Sequence, residues 1–253
     1  MFRGTRRIPN FDLPVQMACG DNNAFTNNDY TDFYITLPKD NVETALWLES
    51  DRMEGLDITP EKLETEKRVV IEEFRQRYLN QPYGDQPMLL RALAYKVHPY
   101  RWAAIGLATD HIAGATLANV ESFYRAHYRP SNAILSISAD MEEERMLELA
   151  EKWFAPLADH PSATAAIPQE PVQTQARRQE VERDVPASTV TVAYHMCART
   201  KPDFYTADLV SDLLSGGDSG RLYTHLVKER NLLSSVNAYI CLLYTSDAAD
   251  DLT

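Results

Sequence analysis

The first strand candidate in the chain is the alternating run "TDFYITLP". Phe33, Ile35 and Leu37 fall on one side of it, which predicts a half-buried strand. "DNVETALWLESDRM" follows with apolar residues at helical spacing. "TPEKLETEKRVVIEEFRQRYL" predicts a longer helix, with Thr59 as N-cap and Pro60 at the first helical position. No breaker interrupts Lys67 to Tyr78, and "QPYGDQP" then ends the run. "TLANVESFYRAHY" predicts another amphipathic helix, stopped by Pro130, and the short apolar run "NAILSIS" predicts a buried strand. "MEEERMLELAEKWFAPL" predicts a helix with acidic residues in its first turn, where the helix dipole favours them.

Periodicity is lost after Leu157. "ADHPSATAAIPQEPVQTQA" reads as an exposed connection. A second block starts near Arg177. In "STVTVAYHM", Val190, Val192, Tyr194 and Met196 share one face and predict a strand. "DFYTADLVSDLLSGG" predicts a helix closed by Gly216 and Gly217. "SGRLYTHLVKERNL" predicts a further helix, and "LSSVNAYI" a strand. Strands mixed with longer helices define an α+β chain, and no short-period repeat is visible.

Composition narrows the function classes. With 44% hydrophobic and 25% charged residues, the 253-residue chain can bury a sizeable core. Its net charge of -12 argues against a nucleic-acid surface, which needs clustered Lys and Arg. No run of about 18 apolar residues predicts a membrane span. Cys19, Cys197 and Cys241 form no CxxC pair and no disulfide framework.

One helix carries candidate chemistry. In "LETEKRVVIEEF", Glu66 and Glu73 are seven residues apart and share a helix face, with Val70 between them. A carboxylate on such a stripe turns inward and needs a partner, either a metal ion or a Lys or Arg. Zinc would need at least two further protein ligands. His98, His111, His127, His160, His195 and His225 form no HExxH or HxxEH motif. There is no GxSxG elbow, P-loop or GxGxxG, and "SGGDSG" follows a helix, as a helix-ending turn does. Cys19, beside Gly20, has no partner that marks it as a nucleophile.

The order of several short motifs adds what periodicity does not. "FRGT", "NNAFTNNDYTDFYITLP", "LETEKRVVIEEF", "HPYRWAAIG", "VESFYRAHYRPSNAILSISAD" and "LLSGGDSGRLYTHLVKERNL" together resemble the pitrilysin/insulinase (M16) family of zinc metallopeptidases, from Met1 to about Ile240. The resemblance implies an α+β, pitrilysin/insulinase-like fold: a mixed sheet with packed helices, forming a first domain and the start of a second, homologous one. It implies a metal-site domain over 1–158, a linker over 159–180 and the beginning of the second domain over 181–240. It implies Glu73 as a zinc ligand and Glu66 as an acid that supports the metal shell. Asn23, Ala24, Phe25 and Thr26 match the strand that pairs with an extended peptide substrate.

The chain departs from this family in one decisive place. The HxxEH motif, with two zinc ligands and the general-base Glu, would lie just before Met1. Met1 is therefore expected to be an internal residue of a parent protein, and the present chain to be inactive by itself. "LVKERNLLS" also lacks the family's Arg and Tyr pair, having Val227 and Ser234 at those places. The implied cofactor is Zn2+. The implied partners are peptide substrates and a C-terminal half or homologous subunit. The alternative is a non-catalytic homologue acting as a scaffold or substrate-binding subunit. A bacterial periplasm or cell envelope is compatible with the resemblance, and no residue specifies a compartment. Residues 241–253 read as codons of a sequencing adapter and are expected to be an artefact.

Overall fold

The computed structural model describes residues 4–159 and 166–240. The expectations for Met1 and for residues 241–253 fall outside them.

The "FRGT" stretch folds as a tight loop for a steric and a polar reason. Gly4 has φ +76°, and a Cβ there would collide with the Ile8 carbonyl oxygen, so only glycine fits. The Thr5 side chain is buried, and its hydroxyl accepts from the backbone N–H of Arg7 at 3.1 Å and of Ile8 at 2.9 Å. The same hydroxyl donates to the buried carboxylate of Asp51, on helix α2 (Val42–Glu54). Arg7 forks onto Glu54 at 2.5 and 2.8 Å and reaches Asp51 at 3.4 Å. The loop is thereby pinned to α2. Helix α1 (Asp12–Met17) follows it, and Ile8, Phe11, Val15 and Leu48 form the buried cluster, with Ile35 and Trp47 packed against it.

Strands β1 (Asp21–Thr26) and β2 (Thr31–Thr36) pair antiparallel, from Asp21 opposite Thr36 to Thr26 opposite Thr31. Phe33 and Ile35 are half-buried while Asp32, Tyr34 and Thr36 are exposed, so β2 turns the predicted face inward. The hairpin is fastened to α2 by Arg52, which is buried. Its guanidinium lies 4.4 Å from the Phe11 ring centroid and 4.3 Å from that of Phe33, and it pairs with Glu49 one turn earlier.

The predicted helices form. Thr59 accepts from the Lys62 N–H at the start of α3 (Pro60–Phe74), which runs into a π-helical turn at Arg75–Leu79. α4 (Gln86–Ala94) and α5 (Thr109–Ala113) follow. α6 (Leu117–His127) begins with a capping box between Thr116 and Asn119, and α7 (Glu143–Phe154) begins with acidic residues. Lys152 and Trp153 of α7 both bond Glu43 of α2. The Tyr124 hydroxyl of α6 lies 2.7 Å from the Arg52 carbonyl oxygen, at the end of α2. In the second block, α8 (Asp203–Ser215) ends at Gly216, and a π-helical segment spans Tyr223–Glu229.

Three predicted strands carry no ladder. Among the described residues the sheet is β1 with β2. "NAILSIS" leaves Ile134 98% exposed, and "STVTVAYHM" leaves Val190, Val192, Tyr194 and Met196 all exposed. "LSSVNAYI" is likewise unpaired, and its Ala238 N–H bonds the Ser215 hydroxyl instead. Alternation fixes which face a strand would bury, but its hydrogen bonds require a neighbour that local sequence does not specify.

Replacing Thr5 by Ala removes a hydroxyl that serves two backbone donors and a buried carboxylate. Thr5→Ala is expected to lower stability by about 1–3 kcal/mol, with Thr5→Ser close to wild type, read from urea unfolding midpoints.

Candidate functional site

The β1 edge is built by its turn. Asn27, buried, accepts on its Oδ1 from the N–H of Asp29 at 2.8 Å and of Tyr30 at 2.9 Å, and donates its own N–H to the Tyr30 carbonyl at 3.0 Å. That last bond fixes the alternation of the ladder. Asn23 and Phe25 face β2 with their backbone groups, whereas the N–H and C=O of Asn22, Ala24 and Thr26 point to the opposite side. Among the described residues no strand pairs with that side of β1. The Phe25 ring meets Tyr30 edge-on at 5.9 Å, and Thr26 and Thr31 approach across the strands at 3.0 Å between hydroxyl oxygens.

The hairpin tip is braced from outside. Asn28 accepts from Arg91 of α4 at 2.8 Å and donates to the Trp102 carbonyl at 3.2 Å. Asp29 accepts from the Tyr100 hydroxyl at 2.6 Å. Burial and this carboxylate push the Tyr100 hydroxyl up to about 12. His98, in the same "HPYRW" stretch, accepts from the Tyr100 N–H at 3.2 Å and packs on the Tyr100 ring, a structural role.

A strap from the connecting segment and the start of the second block holds this brace. The Glu170 carboxylate accepts from three successive backbone N–H groups, Lys96 at 2.8 Å, Val97 at 2.9 Å and His98 at 3.0 Å. Desolvation acts to raise its pKa, but those three bonds and Arg177 outweigh it and hold the carboxyl at about 2. Arg177 caps the end of α4 through the Leu93 and Ala94 carbonyls, both at 2.9 Å. Arg183 pairs with Asp85 at 2.8 Å, and the Tyr83 hydroxyl donates to the Ala187 carbonyl at 2.7 Å.

The acidic pair lies on a different helix. Glu66, Val70 and Glu73 share the half-buried side of α3, opposite exposed Arg68, Val69 and Glu72. The Glu73 Oε1 is 3.5 Å from Arg77 Nε, one turn further on. Burial pushes the Glu73 carboxyl up, against the pull of Arg77. α3 packs chiefly on α5 and the π-helical turn, and β1 on β2 and α1, so the two candidate sets have different main neighbours. Among the described residues no three His, Cys, Asp or Glu side chains cluster as metal ligands. A single carboxylate already paired with an arginine does not make a zinc site.

The brace and strap residues Asn27, Arg91, Tyr100 and Glu170 escape sequence reasoning. Paired Asn residues in "TNNDY" signal a turn, but nothing in the Pro- and Gln-rich run around Glu170 marks its carboxylate as a backbone ligand.

The chain belongs to the M16 peptidase family: residues 114–249, over half of it, match the family described as Peptidase M16 inactive domain. It is 32% identical over 238 residues to a zinc protease of Helicobacter pylori, covering 92% of this chain and 53% of that protein. It is 22% identical over 209 residues to a probable mitochondrial-processing peptidase subunit beta of Arabidopsis thaliana, covering 80% of this chain and 39% of that one. Among solved structures, a protease from Helicobacter pylori superposes with TM-score 0.79 at 30% identity, covering 92% of this chain and 58% of its own. An M16 inactive domain from Pseudomonas fluorescens, at 20% identity and TM-score 0.67, covers 87% of this chain and 53% of its own and shares the fold. The α+β, pitrilysin-like class follows from these neighbours. The chain spans about half the length of the H. pylori relative.

The strap generates a pH signature. The folded Glu170 carboxyl sits at about 2 against an ordinary 4.5, so its stabilising effect is complete above 4.5 and lost as pH falls towards 2. Glu170→Gln is expected to speed amide exchange at Lys96, Val97 and His98 at neutral pH. It should also flatten the fall in thermal midpoint across that acid window, measured by circular dichroism.

Proposed function

We propose that the chain is part of a zinc-dependent endopeptidase that holds an extended peptide as an added strand on β1. The observation that carries this reading is the outward row of backbone groups on Asn22, Ala24 and Thr26, with no strand beside it among the described residues. An extended peptide there gains main-chain hydrogen bonds of the kind β2 makes on the other side, and alternate side-chain positions give preference. Asn23, Ala24, Phe25 and Thr26 thus form the substrate-binding strand, and the braced tip keeps it straight.

The relatives named zinc proteases support a zinc assignment. Glu73 supplies one ligand, and Glu66, two turns earlier, orients it. The remaining ligands and the general base are assigned to a segment preceding Met1. The described residues by themselves offer no cluster of three side chains for zinc. A homologous half or subunit completes an enclosing chamber, and a periplasmic or envelope location fits such an enzyme. The ion pair between Glu73 and Arg77 favours one competing reading, a non-catalytic homologue that keeps the fold as a scaffold or substrate-binding subunit.

The test is the parent protein. The chain extended upstream into its genomic context is expected to contain HxxEH, to bind one zinc by elemental analysis and to cleave unfolded peptides, whereas the chain alone does neither. A stop codon and ribosome site immediately before Met1 would establish the scaffold reading. In the extended protein Glu66→Gln is expected to weaken zinc affinity about 10–100-fold, and Glu73→Gln more, measured by competition with a chelating dye.

A further inference from the structure

The open edge of β1 is not bare. The Asn23 side-chain Oδ1 accepts the backbone N–H of Ala24 at 2.7 Å. That N–H is the central one of the outward row, between those of Asn22 and Thr26. Asn23 itself directs its backbone towards Tyr34 of β2, so its position in the ladder is fixed while its short amide reaches one residue along to the free side. An exposed strand edge invites pairing with any extended chain, and natural proteins block such edges with side chains, charges or bulges.

We infer that Asn23 is a removable cap on the Ala24 N–H, an internal stand-in for the substrate carbonyl that must swing away before a peptide can add to β1. This deepens the strand-addition reading and rests on it. The cap makes strand addition an exchange of hydrogen bonds: the amide of Asn23 gives up the Ala24 N–H, a peptide carbonyl takes it, and the released amide is free to turn to solvent or to a side chain of the incoming strand. A peptide that offers only a side chain or a single end group at this point does not gain enough contacts to displace the cap. Asn23 therefore sets a threshold that favours extended chains bonding along β1 over ligands that bond at one point.

Two measurements on the intact chain separate the cap from the reading beneath it. The first is amide exchange without ligand. Wild type is expected to protect Ala24 more than Asn22. Asn23→Ala should abolish the difference, and Asn23→Asp, which keeps the acceptor, should retain it. Equal exchange at Ala24 in all three forms overturns the cap. The second is fluorescence anisotropy with a labelled octapeptide of alternating Thr and Val. Asn23→Ala is expected to bind it about threefold to tenfold tighter, the scale of one net hydrogen bond, and Asn23→Asp no tighter than wild type. The substitution Ala24→Pro removes the donor, suits a strand edge, and should make the effect of Asn23→Ala vanish in the double variant. Binding unchanged by Asn23→Ala overturns the gating role while leaving strand addition intact. Protection of Ala24 as expected but no binding by any form overturns strand addition and, with it, the assignment of Asn23 as its gate.

Discussion

A buried carboxylate sets the terms for the first part of this fold. Asp51 is 5% exposed, and a charge so placed persists only with close polar partners. Thr5 and Arg7 provide them. The Thr5 hydroxyl also accepts the N–H groups of Arg7 and Ile8, so the atom that satisfies Asp51 shapes the loop that carries Ile8 and Phe11 onto Leu48. One residue further along α2, Arg52 lies against Phe11 and Phe33. α2 thereby receives the N-terminal loop and the hairpin, and α6 and α7 dock on it through Tyr124 and Glu43.

The hairpin built on this base is held at both ends. Arg52 fixes its body, while Arg91, Tyr100 and Trp102 fix the tip through Asn28 and Asp29. Under the proposed strand addition such rigidity would help, because less ordering would then accompany binding of a peptide. The strap extends the same logic. Glu170 gathers three N–H groups of the turn that leads into Tyr100, so a residue far along the chain steadies the brace of β1.

The acidic stripe of α3 follows a different principle. Half burial makes the Glu73 charge costly, and Arg77 offsets part of that cost. A metal ion on the same face would compete with Arg77 for one carboxylate. The relatives named zinc proteases are about twice as long as the segment they share with this chain.

Much of this was legible locally. Thr59 and Pro60 announce the start of α3, Gly216 the end of α8, and the alternation of Phe33 and Ile35 the inward face of β2, because caps and periodicity act within a few residues. The family itself was readable in the order of short motifs. The sequence alone could not decide which strands find neighbours: "NAILSIS", "STVTVAYHM" and "LSSVNAYI" have the pattern and no ladder among the described residues. Nor could it show that Glu170 would bind the backbone at Lys96, or that Asn23 would cover the N–H beside it. Those outcomes depend on groups brought together by the folded chain, and hydrogen bonds between distant residues leave no period in the sequence for a reader to find.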